Sequence, residues 1–286
     1  MQNGAAVGWG AAIVAVLGIA LGPASAAELS SPWVNGHNWR TRLVAGSLSK
    51  GGSTPQLFAG IEIRLNEGWK TYWRMPGDAG GIPPSFSWVG STNLAAAKVL
   101  YPAPRRLQDA TGDTVGYKSG VVFPVEVTPN DPAQPVELRL ALAYGICREI
   151  CVPAEATLSL SIPPQHKGDL PPAIAAALEA VPHTAGTHRE TDPALLSARA
   201  ALSGDRVRLV FEAAFPGGTA GADLFVEAPD GIFVSQPKRA GQVSEEVLRF
   251  EVDLAHGVNL EELKGKTLRL TMVSDAGMSE TAWKVE

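Results

Sequence analysis

The stretch Ala156-Thr157-Leu158-Ser159-Leu160-Ser161-Ile162 alternates apolar and polar side chains at every position. A period of two puts the apolar residues on one face of an extended chain, which is typical of a strand with one face buried. Short apolar-rich runs separated by Gly, Pro, Asn and Asp clusters precede it. They are Phe58–Leu65, Val121–Val127 and Val136–Tyr144. Many short strands at this spacing predict an antiparallel β-sandwich, and the lack of long segments with a 3.6-residue period argues against an α/β fold.

Strand signals of the same kind resume in the C-terminal third of the chain, where Asp230-Gly231 adds a hairpin-type turn signal. These signals predict a second, smaller β-sandwich. The predicted strands are Val207–Phe211, Asp223–Glu227, Val247–Val252, Thr267–Val273 and Thr281–Val285.

A proline-rich segment separates the two strand-rich regions. It opens with Pro163-Pro164, contains Pro171-Pro172 and carries a short helical segment at Ala173–Ala180. Composition of this kind is typical of an interdomain linker. We therefore predict a first domain over 28–165, a linker over 166–192 and a second β-sandwich over 193–286, which suits the length of 286 residues.

The N-terminus has features of a signal peptide. An apolar run from Ala11 to Leu21 precedes Ala24-Ser25-Ala26, which has the A-x-A form of a cleavage site. The run is shorter than the ~20 apolar residues that a transmembrane helix needs. Met1–Gly10 has no Lys or Arg, so a retained N-terminal anchor is the alternative. We predict a signal peptide over 1–27, export to the periplasm and a mature protein that does not span the membrane.

Composition and motifs exclude several classes of function. The formal net charge is −5 and the basic residues are scattered, so nucleic acid is not an expected partner. The sequence has no H-E-x-x-H, P-loop, G-x-S-x-G or dinucleotide-binding motif, and His183 and His188 in the linker are unsuitably spaced for a metal site. No cofactor and no metal ligand set are therefore predicted.

The two cysteines of the chain, Cys147 and Cys151, are separated by three residues. In a straight strand their Cα atoms would lie about 13 Å apart, whereas a disulfide needs about 5.5–6 Å. The chain must therefore turn over Arg148–Ile150. Gly145 before the pair and Pro153 after it favour such a break. The spacing is not C-x-x-C and no βαβ pattern surrounds it, so a thioredoxin fold is excluded.

The residues alone leave two interpretations of this pair open. A disulfide across so short a loop stabilises a chain by only about 2 kcal/mol, against more than about 4 kcal/mol for a long loop. Strained, exposed disulfides are also the ones that thiols reduce easily. The pair is therefore either a local structural disulfide or a redox couple. The oxidising periplasm, to which the predicted leader would export the chain, permits a disulfide in both cases.

The aromatic and glycine-rich stretch Gly68–Pro84 also admits two interpretations. In the first, Trp69 and Trp73 pack the sandwich while Gly77 and Gly80 permit unusual turns. In the second, the stretch is a docking surface beside the cysteines.

A resemblance to a known family rests on several of these motifs, which occur in the same order. They are Trp69-Lys70-Thr71-Tyr72-Trp73-Arg74-Met75-Pro76-Gly77-Asp78, Pro83-Pro84-Ser85-Phe86, Tyr101-Pro102-Ala103-Pro104 and Gly145-Ile146-Cys147 to Cys151-Val152-Pro153. Together they resemble the periplasmic N-terminal region of the DsbD/ScsB thiol–disulfide reductases, with a Cys-x-x-x-Cys-x-Pro spacing similar to the ScsB branch linked to copper tolerance. The resemblance covers Ser31–Ile162 and extends more weakly into the second β-domain.

The resemblance implies an all-β fold of two tandem immunoglobulin-like β-sandwiches joined by the Pro-rich linker with its short helix. It implies that Cys147 and Cys151 are the catalytic redox pair, with Cys151 entering mixed disulfides and Cys147 resolving them. The implied partners are periplasmic thioredoxin-like oxidoreductases and a membrane thiol reductase, between which electrons would be relayed. The sequence has neither the membrane-embedded nor the thioredoxin-like domain of the family, so we expect it to depend on other proteins for electrons.

The family also shields its cysteines with a loop, which would fall near Arg105–Tyr117. DsbD-type members place an aromatic lid there, whereas this sequence has Gln108-Asp109-Ala110-Thr111, so Tyr117 is the candidate substitute. Two rival functions remain. One is copper handling, in which Cys147, Cys151 and a methionine such as Met75 bind copper(I), which thiolates favour. The other is a binding module with an inert structural disulfide.

Overall fold

Two antiparallel β-sandwiches follow one another along the chain, as the alternation of apolar and polar residues predicts. The computed structural model describes residues 1–2, 4, 29–49, 55–109, 112–164, 166, 169–202, 206–229, 232–255 and 260–286. Each sandwich buries its own apolar cluster between two sheets. The predicted fold class of two tandem immunoglobulin-like β-sandwiches is confirmed.

The first sandwich is built from strands β1 to β12. Their bounds are β1 (Leu29–Ser30), β2 (Val34–Gly36), β3 (Trp39–Leu48), β4 (Gln56–Leu65), β5 (Lys70–Tyr72), β6 (Ser85–Ser87), β7 (Leu94–Val99), β8 (Arg105–Asp109), β9 (Gly112–Lys118), β10 (Gly120–Pro129), β11 (Val136–Cys147) and β12 (Cys151–Ile162). One sheet has the order β1-β3-β4-β10-β7, with β2 paired to β3. The other has the order β12-β11-β5-β9-β8, with β6 paired to β11.

Strand β12 shows how the sequence pattern determines the packing. The apolar residues of Ala156–Ile162 are buried in the core and the polar residues between them are exposed. Burying one Leu or Ile side chain stabilises the fold by about 1.5–3 kcal/mol. A slip of one residue would turn all of them outward, so the alternation also fixes the register of the pairing with β11.

The linker contains the helix α1 (Pro172–Glu179), one residue away from the predicted segment. Ile174 of this helix is fully buried against Val44 and Phe58 of the first sandwich. Further on, the His183 Nδ1 atom lies 2.7 Å from Oδ2 of the buried Asp192. The linker therefore packs against the first sandwich and is hydrogen-bonded within itself.

The second sandwich is built from strands β13 to β19 and the short helix α2 (Leu260–Leu263). One sheet has the order β13-β14-β17-β16 and the other the order β15-β18-β19. The bounds are β13 (Ala194–Ala201), β14 (Arg208–Ala214), β15 (Asp223–Glu227), β16 (Lys238–Gln242), β17 (Val247–Asp253), β18 (Thr267–Val273) and β19 (Met278–Lys284). The predicted strands at Asp223–Glu227 and Thr267–Val273 are confirmed to the residue.

Some predictions fall on residues that the structure does not describe. The turn at Asp230-Gly231 and nearly all of the signal peptide over 1–27 belong to this group. The domain boundaries predicted at 165/166 and 192/193 stay predictions. In the described part of the chain, no helix has the length and hydropathy needed to cross a membrane.

Candidate functional site: a dithiol at the tip of a hairpin

Cys147 and Cys151 lie directly opposite each other at the tip of a long β-hairpin. β11 and β12 pair without a break from Val136↔Ile162 to Cys147↔Cys151, and residues 148–150 form the turn. Opposite residues of an antiparallel pair have Cα atoms about 4.5 or 5.5 Å apart, which is within the range that a disulfide requires. The predicted turn over Arg148–Ile150 is confirmed.

Gly145 and Pro153 do not have the role that the sequence suggested. They are register partners inside the ladder, and β11 continues past Tyr144 to Cys147, so they mark no break. Because Gly145 has no side chain, Ile82 and the Tyr72 ring can instead lie close to its backbone. A Cβ atom at this position would lie 2.9 Å from Cβ of Ile82 and 3.0 Å from Cε2 of Tyr72. The absence of a side chain at Gly145 therefore makes room for the Tyr72 ring.

The two thiols differ in exposure and in chemistry. Cys147 is 6% exposed, whereas Cys151 lies at the surface. Burial raises the pKa of the Cys147 thiol, and its hydrogen bond with Cys151 adds to the rise, while a hydrogen bond with Tyr72 and the charge of Lys70 oppose it. Of the two sulfurs, Cys151 is therefore the one that a molecule in solution can reach.

Tyr72 is the side chain that contacts the exposed sulfur. Its phenol oxygen lies 2.8 Å from Sγ of Cys151, although the residue as a whole is only 1% exposed. Burial raises the pKa of the Tyr72 phenol well above its ordinary value, and hydrogen bonds with Cys151 and Cys147 add to this. The phenol is therefore protonated at neutral pH, and it is the donor whenever Cys151 is a thiolate.

Strand β5 carries three consecutive contacts to the hairpin. Lys70 is the register partner of Cys147, and the Thr71 hydroxyl donates to the Gly145 carbonyl oxygen at 2.8 Å. Tyr72 follows with its contact to Cys151. The Lys70 ammonium is 7% exposed and donates to Oγ1 of Thr114 at 2.8 Å. β5 thus supplies a buried cation near one sulfur and a phenol at the other.

A cavity of about 250 Å³ opens beside Cys147. Three cationic residues contribute to its lining: Lys70, Lys118 and Arg148. Leu107 and Gln108 of β8 line it as well, so the segment predicted to shield the cysteines does lie next to Cys147. Ala110 and Thr111 at the end of that segment lie outside the described residues.

The prediction that Tyr117 replaces the aromatic lid is wrong. Its hydroxyl donates to the Pro102 carbonyl oxygen at 2.8 Å, and its ring packs against Phe123 at a centroid distance of 5.7 Å. Phe123 belongs to the buried apolar cluster of the first sandwich and Tyr117 packs against that cluster, so Tyr117 contributes to packing. The aromatic residue at the sulfurs is Tyr72.

Apolar side chains adjoin the exposed sulfur. Ile150 and Val152, on either side of Cys151 in the sequence, are 73% and 41% exposed. Ile82, which receives the Gly145 N–H on its carbonyl oxygen at 2.9 Å, is 41% exposed. These three side chains form exposed apolar surface at the hairpin tip, which a protein partner can cover.

The other residues considered as metal ligands, Met75 and His183, have contacts of their own. Among the described residues, no group of three or more His, Cys, Asp or Glu side chains is arranged to hold a metal ion. Met75, the candidate third ligand for copper(I), packs against a cluster that contains Trp73 and Phe225. His183 is hydrogen-bonded to Asp192.

The cysteines were evident in the sequence, whereas Tyr72 and Lys70 were missed. Their segment stood out for its tryptophans and glycines, and the interpretation in which it packs the sandwich is confirmed in part, while docking at this surface stays a prediction. Gly77 and Gly80 have positive φ angles of 91° and 76°, and Trp73 is fully buried. The same segment also contributes Tyr72 to the cysteine site.

The part of the chain that contains both cysteines matches a known protein family. Residues 53–163 match the family model described as the N-terminal region of the thiol:disulfide interchange protein DsbD. This range contains β4 to β12, and hence Tyr72 and both cysteines.

A solved structure is similar over nearly the whole chain. The crystal structure of the N-terminal periplasmic domain of ScsB from Proteus mirabilis superposes with a TM-score of 0.67 at 20% identity, covering 91% of this chain and 99% of that chain. The likeness in fold therefore includes the second sandwich. No curated protein is significantly similar in sequence to the chain.

Proposed function

Because residues 53–163 form a domain of the DsbD N-terminal type, we propose that the chain is a periplasmic thiol–disulfide exchange protein with Cys147 and Cys151 as its redox pair. It would relay electrons between a membrane thiol reductase or thioredoxin-like domain and periplasmic oxidoreductases, and so act as a protein-disulfide reductase component. The predicted leader and the periplasmic source of the ScsB domain support the compartment.

The observation that carries this proposal is the asymmetry of the two opposed thiols. A structural staple needs no exposed sulfur and no hydrogen-bond donor aimed at one. Here Cys151 is exposed, the Tyr72 phenol contacts it at 2.8 Å, and Cys147 lies buried in the opposite register position. This arrangement suits one sulfur for intermolecular attack and the other for resolution.

The exchange would proceed in two steps. The Cys151 thiolate attacks one sulfur of the partner's disulfide, forms a mixed disulfide and releases the other partner sulfur as a thiolate, which takes up a proton. The Cys147 thiolate then attacks Sγ of Cys151 and displaces the first partner sulfur, which is protonated in turn. The partner leaves as a dithiol with two electrons and two protons more, and Cys147 and Cys151 are left as a disulfide.

Regeneration reverses these steps with a reducing thiol of a thioredoxin-like donor. That thiol attacks Sγ of Cys151, so Cys147 leaves as a thiolate inside the protein. The Tyr72 hydrogen bond and the Lys70 charge favour the thiolate of Cys147, because both act to lower its pKa. The buried side of the site thus assists the step in which the protein is reduced.

The proposal is tested by trapping. A Cys147→Ala variant cannot resolve a mixed disulfide, so it should accumulate a covalent adduct with an oxidised periplasmic thioredoxin-like protein, visible on a non-reducing gel. The Cys151→Ala variant is the matched control and should trap far less, because its remaining thiol is buried. If neither variant traps a partner, and mild thiols do not reduce the wild-type disulfide, the exchange function is excluded.

A further inference from the structure

The strand that carries Tyr72 continues directly into the contact between the two sandwiches. Trp73 is fully buried, and its indole packs against Phe225 of the second sandwich with ring centroids 5.9 Å apart. Val115 and Val273, one from each sandwich, complete this cluster. The backbone N–H of Trp73 also donates to the Val115 carbonyl oxygen at 3.0 Å. One peptide bond therefore joins the residue at the sulfur to a residue buried at the interface.

Arg74 adds an ion pair to the same interface. Its Nε and terminal nitrogen donate to the two carboxylate oxygens of Glu227 at 2.7 and 2.6 Å, and it also contacts Glu280. The guanidinium lies over the Trp73 ring, 4.2 Å from its centroid. The Arg74 and Glu227 side chains are only 17% and 15% exposed. A bidentate ion pair that is mostly buried fixes the orientation of the Arg74 guanidinium and also neutralises its charge.

Further hydrogen bonds join the two sandwiches near this segment. Arg106 donates to both carboxylate oxygens of Asp223 at 2.9 Å and to the Pro237 carbonyl oxygen at 2.8 Å. Oδ1 of Asp78 accepts the Gln236 backbone N–H at 2.8 Å. The second sandwich thus contacts the first at Asp78 and Arg106 as well as at Trp73 and Arg74.

β5 itself is short, with pairing to β11 at Lys70 and Thr71 and to β9 along its length. Tyr72 is its last residue: its register partner Gly116 on β9 holds it from the first sandwich, and the residues that follow, Trp73 and Arg74, hold it from the other side. We propose that the second sandwich positions Tyr72 on Cys151: by fixing Trp73 and Arg74 through Phe225, Glu227 and Glu280, it keeps the phenol on the attacking sulfur. This proposal rests on the proposed exchange function for its biological role, although the contact it concerns can be measured without any partner.

The test measures alkylation of Cys151 in the full-length chain with Cys147→Ala as the common background, so that a single thiol reacts. Glu227→Gln with Glu280→Gln removes the charges that hold Arg74 and leaves every residue at the sulfur in place. We expect iodoacetamide to react about two- to fourfold more slowly at pH 7, since fewer thiolates form when a hydrogen bond to them is lost. The rate is recorded as a function of pH, and loss of the hydrogen-bond donor should move the whole profile toward higher pH, while the plateau rate increases because a less stabilised thiolate is more nucleophilic.

Charged groups around the sulfurs are the same in every variant. Lys70 faces them from β5, and Arg148 and Glu149 lie in the turn beside Cys151. The matched control is Glu212→Gln, which removes an ion pair to Arg249 at 2.8 Å inside the second sandwich. This control should leave the pH profile unchanged. Arg74→Lys, which keeps the charge but not the two-pronged geometry, should give an intermediate shift.

A double-mutant comparison separates positioning from other effects. Tyr72→Phe should cause the same shift as the Glu227/Glu280 variant, and the two together should cause no more than either alone. The inference is overturned if the Glu227/Glu280 variant leaves the profile unchanged, if Tyr72→Phe does so, or if the two shifts add. Each of these outcomes is independent of trapping, so the exchange function can stand while the positioning role fails.

Discussion

The phenol oxygen of Tyr72 and the Sγ atom of Cys151 are 2.8 Å apart, although the two residues are 79 positions apart in the sequence. Two glycines make this contact possible. A Cβ atom at Gly81 would lie 2.3 Å from the Tyr72 ring, and one at Gly145 would lie 3.0 Å from it. A buried phenol with a raised pKa can donate to a thiolate but does not ionise in its place. The contact therefore distinguishes Cys151 from an ordinary surface cysteine.

Tyr72→Phe should slow the reaction of the reduced protein with a small disulfide such as dithiodipyridine at pH 7, by about two- to fourfold. The substitution removes one hydroxyl, so the packing of the ring should be retained. Stopped-flow absorbance measures the rate. Tyr117→Phe is the matched control, because its hydroxyl bonds to the Pro102 carbonyl oxygen, away from the sulfurs. Equal rates for the two variants would show that Tyr72 has no influence on Cys151.

Cys147 and Cys151 should be alkylated at different rates, and the difference should depend on pH. The raised pKa of Cys147 means that its thiolate forms only at higher pH, and its burial limits access as well. We expect iodoacetamide at pH 7 to modify Cys151 at least about tenfold faster than Cys147, with the ratio falling as the pH rises. Mass spectrometry of peptides from the native reduced protein measures both sites. Equal modification at pH 7 would contradict the assignment of Cys151 as the attacking sulfur.

The fold could be predicted wherever burial leaves a pattern on one face of a strand. β12 was predicted because its buried residues are apolar and its exposed ones are polar. β16 was missed because all of its residues, Lys238–Gln242, are exposed at the edge of a sheet, so no apolar face marks it. β5 was missed for the opposite reason: all three residues are buried, and two of them, Lys70 and Thr71, are polar.

Only those features of the site that follow from the local geometry of the chain could be predicted from the sequence. Three residues between two cysteines demand a turn if the sulfurs are to meet, and the turn is there. The position of Tyr72 depends instead on Gly81 and Gly145, which only the folded chain brings to its ring. Trp73 was expected to pack a sandwich, but it packs between two, because Phe225 belongs to β15 of the second sandwich.

Gly145→Ala should lower the free energy of unfolding by about 1–3 kcal/mol, since the new methyl group would overlap Ile82 and crowd the Tyr72 ring. Chemical denaturation of the reduced protein measures this. Gly241→Ala is the matched control in a strand of the second sandwich, where an added Cβ meets no atom within 4 Å. It should leave the stability unchanged or raise it by up to about 1 kcal/mol. Equal effects at the two positions would argue against close packing at Gly145.

Lys70→Met should slow the reduction of the oxidised protein by dithiothreitol by about two- to tenfold. The reason lies in the leaving group: when a thiol attacks Cys151, Cys147 departs as a thiolate, and the Lys70 charge acts to lower the Cys147 pKa. Without that charge the pKa rises further, and a more basic thiolate leaves more slowly. Thr114 keeps a partner after the substitution, because its hydroxyl also donates to the Leu107 carbonyl oxygen at 3.2 Å. The variant is therefore expected to fold.

The control for Lys70 is Lys98→Met, which removes an exposed lysine from β7 in the other sheet, where it pairs with Glu126 at 3.3 Å. Its reduction rate should equal that of the wild type. A second measurement locates the effect: in the Cys151→Ala background, thiolate absorbance near 240 nm should appear at a higher pH for Lys70→Met than for the parent. A slower reduction without that change would place the action of Lys70 somewhere other than on the Cys147 sulfur.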